Sequence, residues 1–154
     1  VQISQKLQSG DLLSFDIGVP FELNHANPVK NKGPLRNMSM HWSWRTGYKF
    51  IRFGINSPKD EHWSFHLGST QCLGEMTNVE RCLFPNRARV EVTIVDPKKP
   101  ILLHLDHLLS KERDGEDLKW GCMSERDDIG CKNPFDVLGL QEGDSVMKAG
   151  IVSQ

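Results

Sequence analysis

Residues 38–72 read MSMHWSWRTGYKFIRFGINSPKDEHWSFHLGSTQC and hold three of the four tryptophans and three of the six histidines. Near its end, His62-Trp-Ser-Phe-His-Leu67 alternates strictly: Trp63, Phe65 and Leu67 fall on one face, His62, Ser64 and His66 on the other. That period of two belongs to a β-strand half-buried against a core. Tyr48-Lys-Phe-Ile-Arg-Phe53 has strand-forming residue types without clean alternation, as in a strand partly covered on both faces. Before Gly47, the same period puts Met38, Met40, Trp42 and Trp44 on one side of an extended run, with Ser39, His41 and Ser43 on the other. The spacing also limits the chemistry. Two strand residues advance about 7 Å and four about 13 Å. His62 and His66 therefore cannot share one ion from a straight strand, and any partner of His66 must come from another strand or loop.

Working outward, Asp11 to Ile17 is an apolar-rich run stopped by Gly18-Val-Pro20, and reads as a strand. Phe21 to Pro28 and the VKNKGP that follows collect Asn, Pro and Gly, and read as a long surface loop carrying His25. Ala88-Arg-Val-Glu-Val-Thr-Ile-Val-Asp96 is the cleanest half-buried strand in the chain. Ile101 to Leu105 predicts another strand, with Asp106 capping a helical turn through Leu109. KERDGED, from residue 111, is too polar for a core and predicts an exposed loop. Asn133-Pro134 has the residue types of an N-cap and first position for a short helix from Phe135 to Leu140. Ser145 to Val152 reads as a last strand. Many short extended runs and few helical periods predict a mainly β, antiparallel sandwich or barrel-like domain with one or two short helices. The 154 residues suit one domain, 1–154, large enough to bury a core.

The charges, 19 Lys and Arg against 20 Asp and Glu, are scattered and sum to -1, which argues against polyanion binding. No apolar run is long enough to span a bilayer, and VQISQKLQSG lacks the profile of a signal peptide. The chain is then either cytosolic or a mature, processed form. The cysteines favour the second. Nine residues separate Cys72 from Cys82 and eight separate Cys122 from Cys131, with Gly, Asn, Pro and Asp around them. Of the three possible connectivities this spacing favours the local one, 72 with 82 and 122 with 131, two small disulfide-closed loops in an oxidising compartment. A four-thiolate zinc site is the rival, but the close CxxC knuckles it normally shows are absent.

The textual motifs of common enzymes, GxSxG, the P-loop, GxGxxG and HExxH, do not occur. His104-Leu-Asp106 can place an imidazole and a carboxylate on one strand face, with no reactive serine or thiol identifiable beside them. Asn37-Met-Ser39 matches a glycosylation acceptor by pattern. Convergent imidazoles with methionines and indoles nearby would suit copper, since imidazole binds it well and thioethers favour the cuprous state.

Several separated motifs then occur in one order: Ile17-Gly-Val-Pro-Phe21 with Leu23-Asn-His-Ala26, Met40-His-Trp-Ser-Trp44 with Gly47-Tyr-Lys-Phe50, Phe65-His-Leu-Gly-Ser-Thr70 before Cys72, and the paired cysteine loops. From about residue 15 to 140 the chain thereby resembles the MbnP-like, four-cysteine family of bacterial secreted proteins, and most of all its short methanotroph members. The resemblance implies a mostly β, copper-binding protein at the cell surface or in the periplasm, used in copper acquisition or storage and not an enzyme. It also implies a di-haem partner of the MauG or cytochrome c peroxidase type, able to oxidise a tryptophan to kynurenine, whose amine then joins the histidine ligands. Carried over by motif, His25 matches the family's Leu-Asn-His and His66 its Phe-His-Leu-Gly, making these the first two expected ligands. His41 stands where relatives often carry Tyr or Phe, and is a third candidate. Trp42 and Trp44 match the paired tryptophans, and Trp63 is a further candidate for oxidation through its closeness to His66 in sequence. The expected ion is Cu(I) or Cu(II), released below about pH 6 as the imidazoles protonate. The rival functions are a metal-dependent hydrolase or oxidase and a metal-free, disulfide-stapled interaction domain.

Overall fold

Strand β4 (His62–Gly68) turns Trp63, Phe65 and Leu67 into the core and leaves His62, Ser64 and His66 on its other face. The chain is seen in a computed structural model that describes residues 6–43, 46–56, 62–75, 77–109, 121–141, 146–148 and 150–154. Trp44, the KERDGED segment and Ser145 lie outside the described residues.

β4 runs antiparallel to β3 (Gly47–Asn56), with Ile51 opposite Leu67, Phe53 opposite Phe65 and Ile55 opposite Trp63. Such cross-strand apolar pairs are the unit of sheet stability. The Phe53 ring lies 5.7 Å from Trp63 and 5.4 Å from Phe65. A short β2 (His41–Ser43) joins β3 through His41 and Tyr48. β1 (Leu12–Ile17) pairs with β7 (Ala88–Thr93), whose Ala88 and Val90 enter the same core while Asp16 and Arg89 meet on the outer face. β5 (Thr70–Glu75) and β6 (Asn78–Phe84) form a hairpin in which Cys72 stands directly opposite Cys82, and the two are bonded. Cys122 is bonded to Cys131 inside the core, so both bridges are local. β8 (Leu102–Leu103) pairs with β9 (Val152–Ser153). The protein is mainly β with small antiparallel sheets and short helices, and among the described residues no sheet closes into a barrel.

The surface loop expected at 21–34 is a series of helical turns: α1 (Phe21–Asn24), then 3-10 turns at Pro28–Lys30 and Gly33–Arg36. Its residue types explain this, because prolines stand in the first turn of both 3-10 segments and the Asn27 side chain accepts from Val29 N. The extended run expected from Met38 begins only at His41. Met38–Met40 is a 3-10 turn whose cap, Asn37, accepts from Ser39 N at 3.1 Å and Ser39 Oγ at 2.8 Å, and this local bonding outcompetes the sheet.

The second helix also starts earlier than its Asn-Pro pair predicts. Asp128 caps a 3-10 turn at Ile129–Cys131 by accepting from Gly130 N, and that turn feeds directly into α2 (Lys132–Val137). Asn133 instead donates to the Leu108 carbonyl at 3.0 Å. The turn Leu105–Leu108 takes His104, not Asp106, as its cap position; the strand read at 101–105 contracts to β8, and among the described residues of the run read at 145–152 only Val152 is strand, at the start of β9. Phe135, Leu138 and Leu140 from α2 and its exit close the core beneath β4. No helix of the described residues is long and apolar enough to cross a membrane.

Candidate metal centre

His66 sits on the half-buried face of β4, and its main chain is gripped from both sides. His66 N donates to Cys122 O at 2.9 Å, and its carbonyl accepts from Ser124 Oγ at 2.7 Å. Ser124 Oγ also accepts from Gly68 N at 2.8 Å, and Asn86 Nδ2 donates to Gly68 O at 2.8 Å. Asn86 and Ser124 are both essentially buried, so the inner disulfide loop fixes where the imidazole stands. Trp42 covers this end of the strand. Its ring lies 5.7 Å from that of His66, and a Cβ on Gly68 would come within 3.0 Å of the indole.

His41 is set beside Tyr48 by the β2–β3 register, with the two rings edge-to-face at 4.8 Å. His25 follows α1 and is placed by its neighbour Asn24, which is buried. Asn24 Oδ1 accepts from Tyr48 N at 2.7 Å, while Nδ2 lies 3.2 Å from Ser69 Oγ and 3.2 Å from His25 Nε2. Gly47 makes this approach possible: its φ is +80°, and a Cβ there would lie 2.5 Å from Asn24 Oδ1.

Two atoms stand out. His41 Nε2 and His66 Nδ1 are buried and have no hydrogen-bond partner among the described residues. A buried polar atom left unpaired costs about 1–3 kcal/mol. Burial holds both imidazoles below their ordinary value of 6.5; the nearby His25 and Lys49 lower His41 further, and Lys49 and Arg52 do the same to His66. Both shifts favour the neutral ring, which is the metal-ligating form. Lys49 bears on both His41 and His66 and His25 bears on His41, while among the described residues the donor atoms of the three imidazoles do not all lie within 4.8 Å of one another. A cuprous or cupric ion suits neutral imidazoles of this kind.

The structure separates other candidates from this group. Trp63 points into the core, stacked on Phe65 with ring centroids 5.8 Å apart, on the opposite face of β4 from His66. Closeness in sequence misleads here because neighbours along a strand face opposite ways. His62 is tied to Asn56 Oδ1 at 2.6 Å and Ser64 Oγ at 2.7 Å.

A second grouping was not legible in the sequence. His25 Nε2 lies 3.3 Å from Cys82 Sγ, and the donor atoms of His25, Cys72 and Cys82 fall within 4.8 Å of one another. Both sulfurs are committed to the disulfide, so as the chain stands only the imidazole is a ligand. Nor does His104 pair with Asp106. His104 Nε2 meets Ser153 Oγ at 2.6 Å, while Asp106 lies 3.8 Å from His107. The serine that sequence reading did not find beside His104 comes from the other strand of the β8–β9 pair.

The family model for MbnP matches residues 2–124. This chain belongs to the MbnP family. The matched segment holds His25, His41 and His66, the Cys72–Cys82 bridge and Ser124, while α2 lies beyond it. The chain is similar in structure to MbnP from Methylosinus trichosporium, at 25% identity and a TM-score of 0.68, over 92% of this chain and 61% of that one. It therefore spans about three fifths of the length of that MbnP. Among curated proteins none matches the chain.

Proposed function

We propose that this MbnP-family protein binds one copper ion through His41 and His66, and serves copper acquisition or storage rather than catalysis. The observation that carries this is the pair of buried, unpartnered nitrogens, His41 Nε2 and His66 Nδ1. A bound ion would satisfy both where no described residue does. The charges of Lys49 and Arg52 beside the rings disfavour added positive charge, which supports Cu(I) over Cu(II). Two disulfides support a place outside the inner membrane, in the periplasm or at the cell surface.

Trp42, next to His66, is the indole we assign to oxidation by a di-haem partner. Conversion to kynurenine exchanges one carbon for one oxygen, a gain of about 4 Da. Its aromatic amine would add a donor beside His66.

Anaerobic Cu(I) titration against a chromophoric chelator tests the reading. The oxidised wild type is expected to take one equivalent, His41→Ala or His66→Ala to weaken it sharply, and the double variant to lose it. Full stoichiometry in the double variant would refute the assignment. Peptide mass spectrometry of protein made with its di-haem partner tests Trp42 separately.

A further inference from the structure

We propose that opening the Cys72–Cys82 disulfide creates a second metal site, in which His25 and the two cysteine sulfurs take a soft monovalent cation, Cu(I). The donors are already assembled. His25 Nε2 is 3.3 Å from Cys82 Sγ, and the nitrogen and both sulfurs lie within 4.8 Å of one another. A set of one imidazole and two thiolates favours Cu(I), since thiolates select soft ions.

The arrangement does not depend on the covalent bond that would be opened. Hairpin pairing holds the cysteines opposite each other through Thr70 with Phe84 on one side and Leu73 with Arg81 on the other. His25 is held from a different direction, by its own N–H to Phe21 O at 3.1 Å, by the Phe21 ring at 4.7 Å and by the Asn24 anchor on Tyr48 and Ser69. The strand pairing that sets Cys72 opposite Cys82 and the contacts that hold His25 thus do not run through the S–S bond.

Access singles out this bridge. Cys82 is half-buried between the exposed Arg81 and Leu83, whereas Cys122 and Cys131 are 0% and 1% exposed within the core. Thiol–disulfide exchange needs a reachable sulfur. A small dithiol reductant supplies the balance: it is oxidised to its own disulfide as each cysteine sulfur gains one electron and one proton. On metal binding the two thiol protons pass to solvent.

The site is distinct from the imidazole centre and does not require it. The test treats native protein with a dithiol, maps the freed thiols by alkylation and mass spectrometry, then removes the reductant and titrates with Cu(I) under anaerobic conditions. Cys72 and Cys82 are expected to label before Cys122 and Cys131. Reduced protein is expected to bind one more Cu(I) equivalent than oxidised protein, and to keep that extra equivalent in the His41→Ala, His66→Ala double variant. In His25→Ala the extra equivalent should bind at least about tenfold more weakly, since even an outer-shell partner is worth about 10- to 100-fold. An extra equivalent of unchanged affinity in His25→Ala would mean a bare thiol pair and overturn the proposal. So would earlier opening of the inner bridge, or no extra equivalent in reduced protein that keeps its far-ultraviolet circular dichroism. The oxidised titration reports on the imidazole centre alone, so failure of either site is read separately.

Discussion

The two disulfides close loops of almost equal size, with sequence separations of 10 and 9, yet they stand in opposite surroundings. The inner bridge is part of the hydrophobic core, and its loop supplies the Cys122 carbonyl and Ser124 hydroxyl that hold His66. The outer bridge ties the β5–β6 hairpin and presents a sulfur to His25. In the loop-entropy account each closure contributes about 2.7 kcal/mol, so the closure term does not distinguish them. Packing does. One bridge positions a candidate ligand through the backbone, and the other touches a candidate ligand directly.

The largest expected effect follows from that contrast. Replacing Cys122 and Cys131 together by Ala should cost about 4–5 kcal/mol, closure plus core packing, against about 2–3 kcal/mol for Cys72 and Cys82. Urea unfolding of the two double variants measures the gap, and equal losses would erase the distinction.

Ser124→Ala comes next. It strips a partner from Gly68 N and from His66 O, for a loss of about 2 kcal/mol, and should loosen copper about 10- to 100-fold by freeing the His66 backbone. Urea midpoints and Cu(I) competition read the two effects. The matching change on the outer side, Asn24→Ala, leaves Tyr48 N without its acceptor and should cost about 1–2 kcal/mol. Its effect on the extra copper of reduced protein should exceed that of Ser124→Ala, because Asn24 places His25 rather than His66.

The smallest effect is on pH dependence. His41 and His66 have folded-state values below 6.5, so between 6.5 and those lowered values the unfolded chain binds protons that the folded chain refuses. Stability from this source is complete above about pH 6.5 and declines as pH falls through that window. The decline should be shallower in His41→Gln and His66→Gln, measured as urea midpoint against pH. Copper release should likewise fall below the window set by ordinary histidines, which sharpens the expectation of release below about pH 6.

Much of the frame was legible from residue order. The alternation in β4 and β7 placed Trp63, Phe65, Leu67, Ala88 and Val90 in the core, because a pleated strand offers its two faces at a strict period of two. Local cysteine spacing indicated both bridges. The turn at Met38–Met40 was misread as strand, since a capping Asn overrides an apolar period that would also suit a sheet. The helix expected from Phe135 with Asn133 as its cap starts instead at Lys132, because Asn133 is drawn to the Leu108 carbonyl and the 3-10 turn capped by Asp128 runs straight into the helix.

Sequence by itself determined the β character, the faces of β4, the local cysteine pairing and, through ordered motifs, the MbnP family. Tertiary structure alone decided that Trp42 rather than Trp63 lies against His66, that His25 abuts Cys82, and that Ser153 faces His104. The physical reason is range. Periodicity and capping are set by neighbours a few residues apart, whereas these encounters join residues 24 to 57 positions apart, as Trp42 and His66 or His25 and Cys82, through contacts that leave no local imprint on the chain.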